Sequence, residues 1–272
     1  MGMLVKGQWQ DVWYDTKGTG GRFVREDAKF RNWITPAGTD APRGEAFPAA
    51  AGRYHLYASL ACPWAHRTLI FRKLKGLEGM IGLSVVHPFM GTEGWTFEPG
   101  PGVVADPVMG ASHLHQLYTR AAPTFTGRVT VPLLWDRQGD AVVSNESSEI
   151  IRMFNSAFDD LGARPGDFYP EPLRAEIDEV NERIYRTVNH GVYRCGFATT
   201  QEAYEEGLAE LFDSLDWLEE RLAKQRYLVG NQITEADWRL FTTLVRFDPV
   251  YVGHFKTNLR RLVDYPNLWA YT

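Results

Sequence analysis

Hydrophobic and polar positions follow two rhythms along this chain, and the change falls in its second half. Strand-like runs at Tyr54–Tyr57 and Leu83–Val86 flank a helical run that begins near Pro63, the order of a βαβ unit with parallel strands. Further on, VTVPLLWDRQGDAVVSNESSEIIRMF reads as a strand, a turn at Gln138-Gly139-Asp140, a second strand and a helix. That turn is short enough for an antiparallel hairpin. Beyond ARPGDFYPEP the period becomes helical. Leu173, Ile177, Val180, Ile184 and Val188 share one face, and Leu208, Leu211, Phe212, Leu215, Leu218 and Leu222 share another. These stripes are core positions and carry no cofactor role. The pattern predicts an α/β N-terminal domain and an all-α C-terminal domain.

Punctuation between the periodic segments sets the expected boundaries. Residues 1–53, aromatic and rich in Gly and Pro, read as an extended arm, and residues 54–162 as the α/β domain. Residues 88–128 read as a long irregular insert, of the length that is usually functional. Residues 163–172 read as a linker and 173–272 as the helical domain. One helix start is well specified: in GNQITEADWRLF, Thr234 caps while Asp237 reaches back to the cap's N–H, with Ile233 and Trp238 at the spacing of a hydrophobic staple. Asp237 is therefore read as a folding residue.

Composition narrows the class. The 272 residues, 44% of them hydrophobic, can bury a sizeable core, and a net charge of −5 gives no general attraction to nucleic acid. The sequence lacks a signal-peptide run and any apolar stretch long enough to span a bilayer. Cys62 and Cys195 are too few for a disulfide framework, which fits a reducing cytoplasm. His113 and His115 form a close pair but lack the further ligands of a catalytic zinc site, so no metal is expected.

The candidate chemistry centres on HLYASLACPWAHRTLIFRKL. Cys62 stands where a strand hands over to a helix, with Pro63 at the first helical position, where proline costs no hydrogen bond. The first-turn N–H groups at Trp64 and Ala65 point back at the sulfur, and the positive end of the helix dipole favours a thiolate. Arg67 adds a cation if it faces the same way. Such surroundings lower a cysteine pKa from its free value of about 8.5; an inert buried cysteine is the alternative. Val131-Pro132 opens the third strand, where a thioredoxin-type fold carries a cis-proline. Ser144-Asn145-Glu146-Ser147 begins another helix, whose N–H groups suit a carboxylate.

CPWAHR, RVTVPLLWD, NESSEII, NHGVYRCGFATTQEAYE and DPVYVGHFKTNLRR, in this order, resemble the glutathionyl-hydroquinone reductases, the xi-class glutathione transferases. The resemblance runs from about residue 3 to the end. It implies a thioredoxin-like N-terminal domain, a helical C-terminal domain (glutathione transferase architecture) and a homodimer. It implies Cys62 as nucleophile, Val131 as backbone partner of the cysteinyl part of glutathione, Glu146 for the γ-glutamyl ammonium and Ser147 for its carboxylate. Trp95 and Arg128 match positions that line the glutathione site, and Tyr193 and Tyr251 match aromatic residues that contact the hydroquinone. Family members usually continue past the YPNLWAYT at which this chain stops, so the helical domain reads as shortened.

The resemblance implies glutathione as co-substrate and aromatic glutathionyl-quinols as partners. Ala65 stands where a dithiol glutaredoxin has its second cysteine, and Cys195 reads as structural, so external glutathione must resolve any mixed disulfide. Ser59, the nearby hydroxyl, precedes the helix by several residues and ranks below Cys62. Two rival readings remain. An omega-like thiol transferase or dehydroascorbate reductase would share Cys62 but lack the insert and the tyrosines. A non-catalytic glutathione-transferase-like interaction module would leave the thiol with an ordinary pKa.

Overall fold

The computed structural model describes residues 2–272. The chain divides into two units, one of residues 1–13 and 27–166, the other of residues 14–26 and 167–272.

The first unit is built on a four-stranded sheet in the order β6-β5-β8-β9. Its strands are β5 (Tyr54–Ala58), β6 (Ile81–Val85), β8 (Leu133–Asp136) and β9 (Ala141–Ser144); α1 (Pro63–Leu74) connects β5 to β6, and α3 (Ser147–Ser156) follows β9. β5 runs parallel to β6 and antiparallel to β8, and β8 and β9 form the expected hairpin. All five residues of β5 are buried, as in a central strand covered on both faces. Buried His55 therefore needs a partner, and its Nε2 lies 2.8 Å from Ser84 Oγ, while that hydroxyl donates to the Ala105 carbonyl.

Register in this sheet is pinned at Asp136, which is fully buried at the end of β8. Arg53 Nε and Nη2 donate to its two oxygens at 2.7 and 2.6 Å, and the turn N–H groups of Gln138 and Gly139 donate at 3.1 Å each. Burial pushes this carboxyl up, but the hydrogen bonds outweigh it and hold the group below its ordinary range.

Two expectations differ from the structure. Residues 1–53 form no separate arm. β1 (Met3–Val5) and β2 (Gln8–Gln10) pair with each other, and β1 also pairs with β7 (Gly127–Arg128); β3 (Trp33–Thr35) pairs with β4 (Ala46–Pro48). Residues 14–26 join the helical unit. There Phe23 packs edge-on to Phe197, Arg22 bonds Glu206 at 2.8 Å, and Gly21 approaches Thr200 so closely that a Cβ would lie 2.4 Å from its hydroxyl. The insert, for its part, is not irregular throughout. It holds α2 (Leu114–Ala121), which buries Leu114, Leu117 and Tyr118, and Gln116 Oε1 accepts from the N–H groups of Ser112 and His113 at its start.

The second unit is helical: α4 (Arg174–Ile184), α5 (Gly191–Gly196), α6 (Gln201–Leu222), α7 (Glu235–Leu244), the short α8 (Val252–His254) and α9 (Pro266–Tyr271). Ile177, Val180, Ile184 and Val188 join Leu211, Leu215 and Leu218 in one buried cluster, with Leu173 at its margin. Asp237 closes the capping box: its Oδ2 accepts from Thr234 N at 2.7 Å and its Oδ1 from Leu228 N and Tyr271 Oη. Two π-helical segments, Tyr185–Asn189 and Phe247–Tyr251, interrupt the α pattern. In the second, Pro249 supplies no N–H, and the Arg246 carbonyl accepts from both Val250 and Tyr251. Among the described residues no helix is long and apolar enough to cross a membrane.

Asp136→Asn strips Arg53 of its counter-charge and should cost about 3 kcal/mol, the scale of breaking a buried pair, read as a lower urea midpoint. Because the folded pKa of Asp136 is depressed, its contribution is present above the ordinary carboxylate pKa and is lost as pH falls through the folded value. The stabilities of variant and wild type should therefore converge in strong acid.

Candidate active site

Cys62 is half-buried and caps α1 with an extended backbone (φ −87°, ψ 118°), followed by Pro63 at the first helical position. Its carbonyl accepts the first helical bond, from His66 N at 3.0 Å, and its own N–H bonds the Ser59 carbonyl at 3.2 Å. The turn thus holds the sulfur at the helix mouth. Sγ accepts from Ala65 N at 3.5 Å and donates to the Val131 carbonyl at 3.6 Å. These two contacts pull in opposite directions. An N–H donor and the helix dipole favour the thiolate, whereas a carbonyl acceptor favours the thiol.

The Val131-Pro132 peptide is cis, and the Val131 carbonyl lies 3.6 Å from the sulfur. Cys62, Val131 and Trp95 belong to one apolar cluster with Ala65, Tyr57 and Tyr118. Trp95 reaches it from a turn that is tightly pinned. Its carbonyl accepts from Leu114 N at 2.9 Å, and the Trp9 indole donates to the Thr92 carbonyl at 2.8 Å. The Trp9 ring also covers Gly94, whose φ of +74° suits glycine.

At the other helix mouth, Glu146 caps α3 and accepts from Ser148 N and Oγ at 2.9 and 2.8 Å. Ser147 is buried beside it. The preceding residue, Asn145, accepts from Phe30 N and donates to Tyr118 Oη at 3.3 Å; Tyr118 Oη in turn donates to the Thr130 carbonyl at 2.8 Å. This network fixes the residue before Val131 against the residue before Glu146. Sequence reasoning missed it; a polar residue just ahead of a helix cap was the available signal.

Arg67 is buried on α1. Its guanidinium stacks 4.6 Å from the Trp64 ring centroid, and Nη1 lies 3.5 Å from Ser147 Oγ. Arg128 is on β7, where Nη1 and Nη2 bond the carbonyls of Val12 and Trp13. Tyr193 and Tyr251 lie together in the helical unit, rings edge-on at 6.2 Å between centroids, with Tyr251 buried and Tyr193 half-buried. Tyr251 ends one π segment, and Tyr193 follows closely on the other.

The other thiol and the nearby hydroxyl are poorly suited to react. Cys195 lies in the helical core, where burial pushes its pKa up to about 12. Ser59 is fully buried, and its hydroxyl accepts from Ala61 N. His113 and His115 stack on each other, and among the described residues no three His, Cys, Asp or Glu side chains are placed to hold a metal.

A cis-proline sheet with a cysteine-capped helix, joined to a helical domain, is the architecture of a glutathione transferase. Residues 61–157 match the glutathione S-transferase N-terminal domain and residues 201–272 its C-terminal domain. The chain is 60% identical over 268 residues to the glutathionyl-hydroquinone reductase PcpF of Sphingobium chlorophenolicum, covering 98% of this chain and 83% of that one. It is 59% identical over 273 residues to the glutathionyl-hydroquinone reductase YqjG of Escherichia coli K12, covering 100% and 83%. The glutathione-bound structure of YqjG aligns with a TM-score of 0.89 at 55% identity, over 99% of this chain and 82% of that one. The chain belongs to the glutathionyl-hydroquinone reductases, the xi-class glutathione transferases.

Iodoacetamide applied to the native protein at neutral pH should label Cys62 and leave Cys195 unmodified until denaturant is added, as read by peptide mass spectrometry. Labelling of both at equal rates would contradict the assignment of the two thiols.

Proposed function

We propose that this chain reduces glutathionyl-hydroquinones to hydroquinones, with glutathione as reductant and Cys62 as nucleophile. The observation that carries the reading is Cys62 Sγ at the mouth of α1, between the Ala65 N–H and the Val131 carbonyl. The identity to named reductases over nearly the whole chain supports it.

Glutathione adds as an extended peptide along the backbone at Val131, beside cis-Pro132. Its cysteinyl N–H bonds the Val131 carbonyl in place of the Cys62 thiol, removing the contact that favours the protonated sulfur. Glu146 receives the γ-glutamyl ammonium and Ser147 its carboxylate. Trp95 and Arg128 line the same site, and Tyr193 and Tyr251 contact the ring.

The reaction runs in two exchanges. The Cys62 thiolate attacks the sulfur of the glutathionyl-hydroquinone. An S–S bond forms, the carbon–sulfur bond breaks, and its electron pair stays with the ring carbon, which takes a proton supplied by Tyr193 or Tyr251. The sulfur pair is oxidised by two electrons and the ring carbon is reduced by two. A second glutathione thiolate then attacks the glutathione sulfur of the mixed disulfide. Oxidised glutathione leaves, and the Cys62 thiolate is regenerated. With Ala65 in place of a second cysteine, nothing local competes for that step. The same reading includes a cytoplasmic homodimer.

Protein exposed to glutathionyl-hydroquinone should gain one glutathione on Cys62 and lose it to fresh glutathione. Cys62→Ala should lower turnover by on the order of 10³-fold or more, the scale of removing a nucleophile. An alanine variant working at the parent rate would sink the scheme, and a preference for dehydroascorbate would move the chain to the omega-like reading.

A further inference from the structure

Val131 lies on a segment, residues 129–132, that belongs to no strand: β7 ends at Arg128 and β8 begins at Leu133. Shielded peptide groups outside a ladder need other partners. Those of Thr130 converge on one side-chain atom. Tyr118 Oη donates to the Thr130 carbonyl at 2.8 Å and accepts from Thr130 N at 3.2 Å. It also accepts from Asn145 Nδ2 at 3.3 Å. A phenol has one proton and two acceptor sites, so these bonds use it fully and leave nothing for a ligand.

Tyr118 is itself fully buried on α2, in the insert, and its ring packs edge-on to Phe30 at 5.8 Å and against Phe125 at 5.3 Å. Burial pushes the phenol's pKa above its ordinary value, so the proton stays on the oxygen at neutral pH. The two bonds to Thr130 fix the peptide planes on either side of that residue, and the second plane ends at Val131. A shift there would carry along the Val131 carbonyl, which lies 3.6 Å from Cys62 Sγ.

We propose that Tyr118 is a positioning residue: its hydroxyl holds the main chain at Thr130 and so keeps the Val131 carbonyl in place for the cysteinyl N–H of glutathione before glutathione arrives. The inference rests on the glutathione site proposed above and gives the insert a task in it. An acceptor fixed in advance spares the ligand the cost of ordering it.

The test is Tyr118→Phe, which keeps the ring and removes the hydroxyl, read by calorimetric binding of glutathione and by the pH profile of Cys62 alkylation with iodoacetamide. Glutathione affinity should fall roughly fivefold, the scale of one main-chain hydrogen bond. The same loosening frees the thiol from its carbonyl acceptor, so the alkylation midpoint should move down by roughly half a pH unit. Damage to the fold alone would weaken binding without making the sulfur more acidic. A lower affinity with an unmoved or raised midpoint therefore overturns the proposal, as does an unchanged affinity. If the phenylalanine variant does not fold, amide exchange in the wild type takes its place. The Thr130 N–H should exchange slowly in the free protein, and glutathione should add little protection; protection that comes only with the ligand refutes a site set in advance. A wild type that forms the Cys62 adduct while Tyr118→Phe matches it in both readings overturns only the role of Tyr118. A wild type that forms no adduct overturns the reactive-site reading itself.

Discussion

The antiparallel register of β5 against β8 is the constraint on which the site depends. Tyr57 pairs with Leu133, so the chain leaving β5 toward Cys62 runs past the residues just before Leu133, Val131 among them. A slip of one residue would turn every side chain of β8 to the opposite face and move the Val131 carbonyl off the sulfur. The hairpin beyond β8 contains a register irregularity between Leu134 and Trp135, so the turn alone is a weak guide to alignment. The buried Arg53–Asp136 pair supplies what the turn does not, since it fails geometrically if β8 shifts. Electrostatics at one end of the strand thus secures chemistry at the other.

The parts legible in the sequence were those written in local patterns. A cysteine before a proline at a strand-to-helix junction, a Val-Pro at the start of a strand, and a Thr-x-x-Asp box each specify geometry within a few residues, and each is present. The illegible parts depend on partners far along the chain. Composition described residues 1–53 as loose, yet Leu4 opposes Gly127 and Arg22 opposes Glu206, pairings that no window of sequence contains. The helix Leu114–Ala121 was hidden for a different reason: it is short, lies in a segment dense with Gly and Pro on either side, and buries one face only. Arg67 shows the limit most clearly. Spacing placed it one turn from Cys62 but could not say that a tryptophan ring would turn it toward a different helix.

That redirection matters because the first unit brings together two helix N-termini with different tasks. At α1 the capping group is a half-buried cysteine, and the dipole acts on its sulfur. At α3 the groups at the mouth are the half-buried Glu146 carboxylate and the buried Ser147 hydroxyl, a pair suited to the two charges of an amino acid. A cation shared by both mouths would stabilise the thiolate further but would also make it a poorer nucleophile, since nucleophilicity falls as pKa falls. At the sulfur, the Ala65 N–H and the dipole favour the thiolate while the Val131 carbonyl favours the thiol.

The same logic accounts for a single thiol at the helix mouth. A second cysteine at position 65 would capture the mixed disulfide and expel glutathione before external thiol could react, converting the site into a dithiol reductant. Alanine there leaves the N–H that faces the sulfur and removes the competitor. Cys195 poses no comparable threat, because burial keeps it protonated, with a pKa near 12, inside the helical core. Chemistry on a carbon–sulfur bond needs a nucleophile that attacks once and waits. A lone cysteine at a helix N-terminus, with its sulfur beside the Val131 carbonyl, suits that requirement.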